Sequence, residues 1–373
     1  MKLIVSVARI FTGLLFIFSG LVKGIDPLGL AYKMQEFFEA WASGGFMQST
    51  MAVFGNYALS FSIIIITLEV AVGVALLLGW QKKITTWILV LLMLFFTFLT
   101  SYVLFSGKIR ACGCFGDCIP LTPVQTFTKD IILLALSVLL LVKSRYIFPV
   151  AKPLINTLYL FLLITGTLIL QFYVLKHLPL KDCLPFKKGN NILALRKMPA
   201  DAVPDKYDYV FVYEKGGMKK EFRVTALPDT TWKFSEREQK LVQAGKNNVP
   251  LINDFSLTAE DGTDATEIIL NNSAEYYLFF IKEVPDNKNE WMEQFKNFYT
   301  DAAAADKKIF IITSQRNALK ELLTKNRLPV NNVYTCDATA IKTAARTNPA
   351  LYLMKGPVVK NKWSWADLKE VIN

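Results

Sequence analysis

The sequence predicts a membrane-embedded, all-α helical bundle followed by a soluble α/β domain. The chain has 373 residues, of which 53% are hydrophobic, yet it also carries 42 Lys+Arg and 31 Asp+Glu. The apolar residues are concentrated in the first half and the charged residues in the second. A spanning helix needs about 20 apolar residues, because its backbone polar groups must be satisfied within the segment. Five stretches qualify: 3–22, 60–80, 84–105, 128–142 and 154–175.

Basic residues in short loops predict how these spans are oriented. The first stretch contains Arg9 and lacks a small-x-small cleavage site before Lys23, which indicates a retained anchor rather than a signal peptide. The loops after spans two and four carry Lys82, Lys83, Lys143, Arg145 and Lys152, whereas the other side has Lys108 and Arg110. By the positive-inside rule both loops are cytoplasmic. We therefore expect residues 23–59, residues 106–127 and everything after 176 on the outer side, with 24–59 lying along the membrane surface as amphipathic helix.

The soluble half predicts strands and helices in a recognisable order. Alternating residues at 207–214 and 219–225 flank a Gly-Gly turn, which is typical of a β-hairpin. Segments 230–234 and 250–257 suggest further short strands. From residue 276 onwards, strands alternate with helices and end in a hairpin and a last helix, which is the order of a thioredoxin-like domain. We expect four units: a four-helix membrane domain (1–150), a fifth transmembrane helix (151–178), a β-rich extracytoplasmic segment (179–269) and the thioredoxin-like domain (270–373).

Three closely spaced cysteines, Cys112, Cys114 and Cys118, lie between spans three and four. The thiolate is both a nucleophile and a metal ligand, so this run favours redox chemistry or metal capture. A disulfide between Cys112 and Cys114 would close a small, strained and therefore oxidising ring, which Cys118 could resolve by exchange. One alternative is a purely structural disulfide or a set of unreactive free thiols. A weaker alternative is a metal site in which Cys183 is the fourth ligand.

Three further polar residues lie in or beside the spans. Glu69 is mid-span, where a carboxylate usually marks an internal polar site. Arg9 could instead pair with a lipid headgroup. Asp130, close to the cysteines, is either a proton acceptor for thiol chemistry or a helix cap, and the sequence leaves both readings open.

Together these motifs resemble the DoxX/MauE family of redox-associated membrane proteins. The resemblance rests on RIFTGLLFIFSGLVKGIDP from Arg9, LEVAVG around Glu69, and CGCFGD followed by LTPVQTFTKD, which ends at Asp130. It covers roughly residues 1–180, and several downstream segments also look like the soluble extension of the Bacteroidetes multidomain form. The resemblance implies a four-helix core of the kind used by quinone-linked disulfide-forming proteins. It also implies a location in the bacterial inner membrane, with the C-terminal domain in the periplasm. It implies Cys112 and Cys114 as redox residues and leaves Cys118 unassigned.

The sequence departs from a catalytic thioredoxin in one respect. The place of the Cys-x-x-Cys motif reads IKEVPDNKNEW and contains no cysteine. Pro349 matches the thioredoxin cis-proline, so the domain is expected to bind or dock rather than to catalyse. Cys336, at the end of a predicted strand, is expected to be a buried core thiol.

The leading hypothesis is a membrane thiol–disulfide redox protein that exchanges electrons between an exported thiol or disulfide protein and quinone. Its candidate catalytic residues are Cys112, Cys114, Cys118 and Asp130, and its candidate cofactor-binding residues are Arg9 and Glu69. A second hypothesis is a non-catalytic membrane scaffold whose thioredoxin-like domain docks an envelope protein, and a third is metal delivery. The net charge of +11 includes no basic run interleaved with aromatic residues, which argues against nucleic-acid binding. Membrane lipid is an expected partner.

Overall fold

The computed structural model describes residues 1–371 except 46, 110–112, 114, 244, 246 and 285–290. The helices of the first half are α1 (Lys2–Gly24), α2 (Pro27–Ser43), α3 (Gln48–Asn56), α4 (Ala58–Leu78), α5 (Lys82–Ser106), α6 (Pro123–Val142) and α7 (Pro153–Lys176). Within the described residues, α1 and α4 to α7 are long and apolar enough to cross a membrane. The five predicted spans are therefore confirmed.

The fourth span begins earlier than predicted, at Pro123 rather than at residue 128. The hydroxyl of Thr122 accepts from the backbone N–H of Gln125 at 3.3 Å, and the Gln125 side chain accepts from the backbone N–H of Thr122 at 3.0 Å. This capping box starts α6 one and a half turns before its apolar run.

Helices α1 and α4 lie antiparallel with their backbones in contact. A Cβ placed on Gly73 would lie only 2.8 Å from the carbonyl oxygen of Gly13 and 3.0 Å from the backbone nitrogen of Ile17. Small residues permit such close approach between helices in membranes. This crossing sets the register that brings the end of α1 beside the middle of α4.

The two loops predicted to be cytoplasmic meet at one end of the bundle. The backbone N–H of Val150 donates to the carbonyl of Leu78 at 3.0 Å, and Lys82 Nζ donates to the carbonyl of Ile147 at 3.3 Å. At the other end lie α2 and the cysteine loop, which we define as residues 107–122. Asp117 of this loop pairs with Arg346 of the soluble domain at 2.7 Å. The cysteine loop and the soluble domain therefore share one side of the bundle, as predicted.

The soluble half contains two β-sheets. Its elements are α8 (Ile192–Leu195), β1 (Lys206–Lys215), β2 (Met218–Arg223), β3 (Lys233–Gln243), α9 (Thr266–Leu270), β4 (Glu275–Ile281), α10 (Met292–Ala304), β5 (Lys308–Thr313), α11 (Arg316–Lys325), β6 (Val333–Thr335), α12 (Ala338–Ala344), β7 (Ala350–Lys355), β8 (Val358–Ser364) and a 3-10 helix, Trp365–Val371. The first sheet has the order β2-β1-β3, and the second has the order β6-β5-β4-β7-β8.

The first sheet confirms the predicted hairpin and corrects two neighbouring expectations. Strands β1 and β2 pair antiparallel around Gly216 and Gly217, both of which have positive φ. The strand expected at 230–234 runs instead over Lys233–Gln243. Segment 250–257 is not a strand; its apolar side chains Ile252, Phe255 and Leu257 are buried in the core of the second sheet. These side chains are three and two residues apart and pack against the sheet without pairing as a strand.

The second sheet has the predicted thioredoxin-like arrangement. Strand β4 is parallel to β5 and antiparallel to β7, and β8 closes the hairpin at the edge. Buried side chains cover both faces of the sheet. The peptide bond between Asn348 and Pro349 is cis, as expected, and it directly precedes β7. The predicted last helix is present as a 3-10 helix.

Candidate functional site

Glu69 points into the bundle, where it forms an ion pair with Lys23. The side chains are only 2% and 4% exposed, respectively, and the Lys23 ammonium lies 5.1 Å from the ring centroid of Phe96. The prediction that Glu69 faces the interior is therefore confirmed. The sequence analysis did not identify Lys23 as its partner, although a long cationic side chain at the end of α1 can reach back toward mid-membrane.

Asp130 also points into the bundle. It is 1% exposed, and Lys129 Nζ lies 2.8 Å from its Oδ1. The same ammonium lies 4.9 Å from the ring centroid of Phe115 in the cysteine loop. Thr122 caps α6, and Asp130 lies in the third turn, so the alternative of helix capping is wrong. The prediction that Asp130 accepts protons in thiol chemistry remains a prediction.

The two ion pairs line one cleft, which we call the bundle cavity. It has a volume of about 610 Å³ including its open side, and about 50 Å³ of this admits the centre of a water molecule. Its apolar wall consists of Phe16, Met34, Phe37, Met93, Phe96 and Phe115. Within the described part of the chain, Glu69 Oε2 and Asp130 Oδ2 are buried without a hydrogen-bond partner. Unpaired buried carboxylate oxygens are costly, which is typical of a functional polar site.

The cysteine loop borders this cavity through Gly113, the residue between Cys112 and Cys114. Both cysteines lie outside the described residues. A Cβ on Gly113, whose φ is +69°, would lie 3.2 Å from Lys33 Cγ, so α2 passes directly over the loop at this point. Lys33 also lines the cavity and forms an ion pair with Glu36 at 2.9 Å.

Cys118 forms a disulfide with Cys183, which we call the loop disulfide. It links the 3-10 helix Gly116–Cys118 of the cysteine loop to the segment that follows α7. The sequence did not determine which cysteines pair. Cys118 can resolve another disulfide only after its own bond to Cys183 has been reduced. The loop disulfide also occupies Cys183, the proposed fourth metal ligand, and no group of three or more His, Cys, Asp or Glu residues among the described residues is placed to hold a metal.

Arg9 lies far from this cavity. Its guanidinium donates to the carbonyls of Leu76 at 2.7 Å, Leu77 at 2.5 Å and Phe148 at 3.0 Å. It thus satisfies the last carbonyls of α4 at the end of the bundle where the basic loops meet. Arg9 precedes Lys23 by fourteen residues of one helix, or roughly 21 Å at 1.5 Å per residue. The structure therefore does not bring Arg9 and Glu69 together.

Arg346 joins the soluble domain to the membrane half, a role the sequence analysis missed. Its side chain is 6% exposed and forms ion pairs with Asp26 and Asp117, both at 2.7 Å. The guanidinium carbon also lies 5.3 Å from the ring centroid of Tyr32 in α2. Since Arg346 lies three residues before Pro349, the cis-proline end of the domain faces the membrane half. We call this set of contacts the arginine clamp.

Two lysines extend the arginine clamp over Tyr32. Lys282 Nζ donates to the Tyr32 hydroxyl at 3.1 Å, and Lys342 Nζ lies 5.5 Å from its ring centroid. Burial, followed by the charge of Arg346, lowers the pKa of Lys282 to about 8. Burial raises the pKa of Tyr32 to about 12. A second contact joins the domains elsewhere, where His177 Nδ1 lies 2.6 Å from Asp367 Oδ1.

Cys336 is a core thiol, as predicted. It is 3% exposed and packs within the core of the second sheet. Burial raises its pKa to about 12, so the thiolate is not populated near neutral pH.

Comparisons with known proteins agree with this architecture. Residues 1–143 match the family described as methylamine utilisation protein MauE. Residues 207–244 match a domain of unknown function, DUF8463. Protein TlpB of Flavobacterium psychrophilum is 41% identical over 83 residues, which are 21% of this chain and 23% of that protein, so the match spans under a quarter of the relative. No solved structure matches the chain.

The family match covers α1 to α6 and both ion pairs of the bundle cavity, whereas α7 lies beyond it. Residues 1–143 are therefore similar to the MauE family, in a multi-pass membrane protein that has a thioredoxin-like domain at its C-terminal end.

Proposed function

We propose that this protein is a membrane thiol–disulfide oxidoreductase, in which Cys112 and Cys114 pass electrons from an exported protein to a quinone. One observation carries the proposal: Gly113, between these cysteines, lines the bundle cavity together with two buried ion pairs. Cys112 and Cys114 are its two neighbours in the sequence.

The cavity residues fit a quinone by chemistry. Lys23 and Lys129 supply N–H donors suited to carbonyl oxygens, whereas Glu69 and Asp130 each have one carboxylate oxygen that lacks a hydrogen-bond partner within the described residues. The aromatic and Met side chains provide an apolar wall of the kind that surrounds flat ligands. A ring needs more than the 50 Å³ open to water, so side chains at the open side must move to admit it. When bound, a quinone would supply a two-electron acceptor.

The protein groups have separate roles in this proposal. Lys33 and Lys129 lie on the cavity side of the cysteine loop, and nearby cations favour the reactive thiolate. Asp130 is the nearer carboxylate in sequence to the cysteines and holds the proton that a thiol releases. Glu69 forms its ion pair with Lys23 in the wall of the same cavity. The apolar wall excludes bulk water from both carboxylates.

Serine replacement of Cys112 or Cys114 is expected to lower quinone reduction by at least about 1,000-fold, because either change removes the redox couple. The measurement is the absorbance of a soluble quinone analogue reduced by a dithiol peptide with purified full-length protein. Cys336→Ser is the matched control, since that thiol is buried in a separate core. Undiminished turnover in both loop variants contradicts the proposal.

We further propose that the soluble domain lies in the periplasm, where exported thiol proteins are its partners. The support is the concentration of basic residues in the two loops that meet at the opposite end of the bundle. An impermeant maleimide applied to intact cells should label Met218→Cys, whose parent side chain is 72% exposed on the soluble sheet. Lys83→Cys, in a loop predicted to be cytoplasmic, should be labelled only after permeabilisation. The reverse pattern contradicts this orientation.

A non-catalytic scaffold is the second candidate. One support is that the thioredoxin-like domain lacks the Cys-x-x-Cys motif. The other is that its cis-proline end contacts the membrane half of the same chain. The two candidates differ in one measurable property. If the protein carries electrons, Cys112 and Cys114 become reduced in cells whose quinone is held in the reduced form. If it is a scaffold, the redox state of these two cysteines does not change under that condition.

A further inference from the structure

We infer that the isoprenoid chain of the quinone lies in an apolar groove that adjoins the bundle cavity, between α2, α3, α4 and α5. We call this space the tail groove. The inference rests on the proposed function and deepens it, because it assigns a site to the part of the ligand that lies away from the ion pairs. It depends on described residues alone and does not involve the cysteines.

The tail groove is lined by apolar side chains throughout the described part of the chain. About 270 Å³ of it admits the centre of a water molecule. A single water needs only about 10–15 Å³ on this measure, and it also needs polar partners, which this lining does not supply. The groove therefore suits an apolar chain of several carbon atoms better than water. Its walls are Phe38 and Trp41 of α2, Met51 of α3, Phe61 and Ile65 of α4, and Phe95 of α5.

Packed aromatic rings hold one wall of the groove in place. The ring centroids of Phe38 and Phe54 are 5.8 Å apart, those of Phe38 and Phe61 are 6.1 Å apart, and those of Phe54 and Phe61 are 5.6 Å apart. Edge-to-face ring pairs at such distances stabilise one another. Met34 and Met51 complete the lining with flexible side chains that can adapt to a branched ligand.

The tail groove and the bundle cavity are neighbours. Met34, Phe37 and Leu99 line both spaces. On α4, Ile65 lines the groove and Glu69 lines the cavity, and side chains four residues apart on a helix lie next to each other. A ligand whose ring lies beside the ion pair of Glu69 can therefore extend its chain into the groove past these three shared side chains.

The open side of the groove faces the same surface as the lipid-exposed residues of α4 and α5. Phe54 and Phe95, at the edge of the groove, are both 37% exposed. Ile64 on α4 and Phe98 on α5 are 60% and 55% exposed, and both belong to helices long and apolar enough to span the membrane. A quinone dissolved in the bilayer can thus enter sideways from the hydrocarbon, without passing through water.

A quinone fits the two adjoining spaces better than a phospholipid. The described ammonium groups of the bundle cavity are already paired, since Lys23 contacts Glu69, Lys129 contacts Asp130, and Lys33 contacts Glu36. The cavity therefore offers a phosphate no uncompensated positive charge. A neutral ring with an isoprenoid chain needs none, and it matches a site that has polar groups at one end and apolar side chains at the other.

The first test is photochemical labelling of the parent protein, full-length and in lipid nanodiscs. The probe is a quinone whose isoprenoid chain ends in a diazirine, and labelled residues are located by mass spectrometry. Labels are expected on groove residues such as Trp41, Met51 and Ile65, and an excess of the same quinone without the diazirine should remove them. A phospholipid with a diazirine at the end of its acyl chain is the comparison probe and is expected to label Ile64 and Phe98 instead.

The second test fills the groove without changing a residue of the bundle cavity. Ile65→Trp should weaken binding of a quinone with an isoprenoid chain by about tenfold, because overpacking an apolar site is unfavourable. Binding of the same ring without a chain should not change. Ile64→Trp is the matched control, since it makes the same substitution one residue away on the lipid-facing surface, and it should bind both quinones like the parent. The measurement is equilibrium binding of radiolabelled quinone without any thiol substrate.

Two results would overturn the inference. One is labelling of groove residues by the phospholipid probe that excess quinone does not reduce, which would assign the groove to lipid. The other is equal binding of the chain-bearing quinone by Ile65→Trp and the parent. If Ile65→Trp does not fold, labelling of the parent still decides. Failure of the proposed function has a different signature: either the ring without a chain also fails to bind, or quinone reduction persists in Cys112→Ser and Cys114→Ser.

Discussion

Replacing Glu69 by alanine is expected to destabilise the membrane half by about 3–5 kcal/mol, because it leaves the ammonium of Lys23 buried without its counter-charge. Lys23 is 4% exposed, so its ammonium is largely shielded from bulk water. The measurement is the unfolding midpoint of purified protein in detergent, followed by helical circular dichroism. A midpoint equal to that of the parent contradicts the buried ion pair.

A double variant separates the structural role of this pair from its proposed function. Replacing both charges with apolar residues of similar size, Lys23→Met with Glu69→Leu, removes the uncompensated charge and is expected to restore much of the stability. It also removes an N–H donor and a carboxylate from the bundle cavity, so quinone reduction is expected to remain low. If the double variant folds and reduces quinone like the parent, Glu69 and Lys23 have no part in the reaction.

Replacing Arg346 by alanine is expected to release the arginine clamp. The change removes both ion pairs of a guanidinium that is 6% exposed, which we expect to cost about 3 kcal/mol or more. The consequence should be local, because the loop disulfide and the contact between His177 and Asp367 still join the domains. Amide hydrogen exchange should therefore accelerate in α2 and α12, while β4 and β5 stay protected.

The matched control for this prediction is Lys320→Ala. Lys320 also forms an ion pair in the soluble domain, but its partner Glu260 is 74% exposed. Exposed pairs contribute only about 0–1 kcal/mol, so this variant should exchange like the parent. Equal exchange in α2 for Arg346→Ala and Lys320→Ala would show that the clamp does not hold the domains together.

The clamp changes how the degenerate thioredoxin-like domain is understood. The sequence analysis assigned it to binding a partner at its cis-proline end. In the structure, this end is occupied by Tyr32, Asp26 and Asp117 of the membrane half. The arginine clamp therefore uses this end of the domain for a contact within the chain.

The sequence by itself determined the features that depend on local pattern. Five apolar stretches of spanning length became the five long helices, because lipid permits few other backbone arrangements. The inward direction of Glu69 followed from the cost of a carboxylate facing hydrocarbon. The alternation of strands and helices after residue 275 predicted the thioredoxin-like sheet, since connection rules allow few topologies for that order.

Only the tertiary structure decided which distant residues meet. Lys23 finds Glu69 through the glycine crossing of α1 and α4, and Arg346 reaches Asp26 across 320 residues of sequence. Cys118 pairs with Cys183, which follows α7, across 65 residues of sequence. Segment 250–257 is apolar enough to suggest a strand, but its buried side chains pack into the core of the second sheet without strand pairing. Such contacts arise from docking geometry, which local periodicity does not encode.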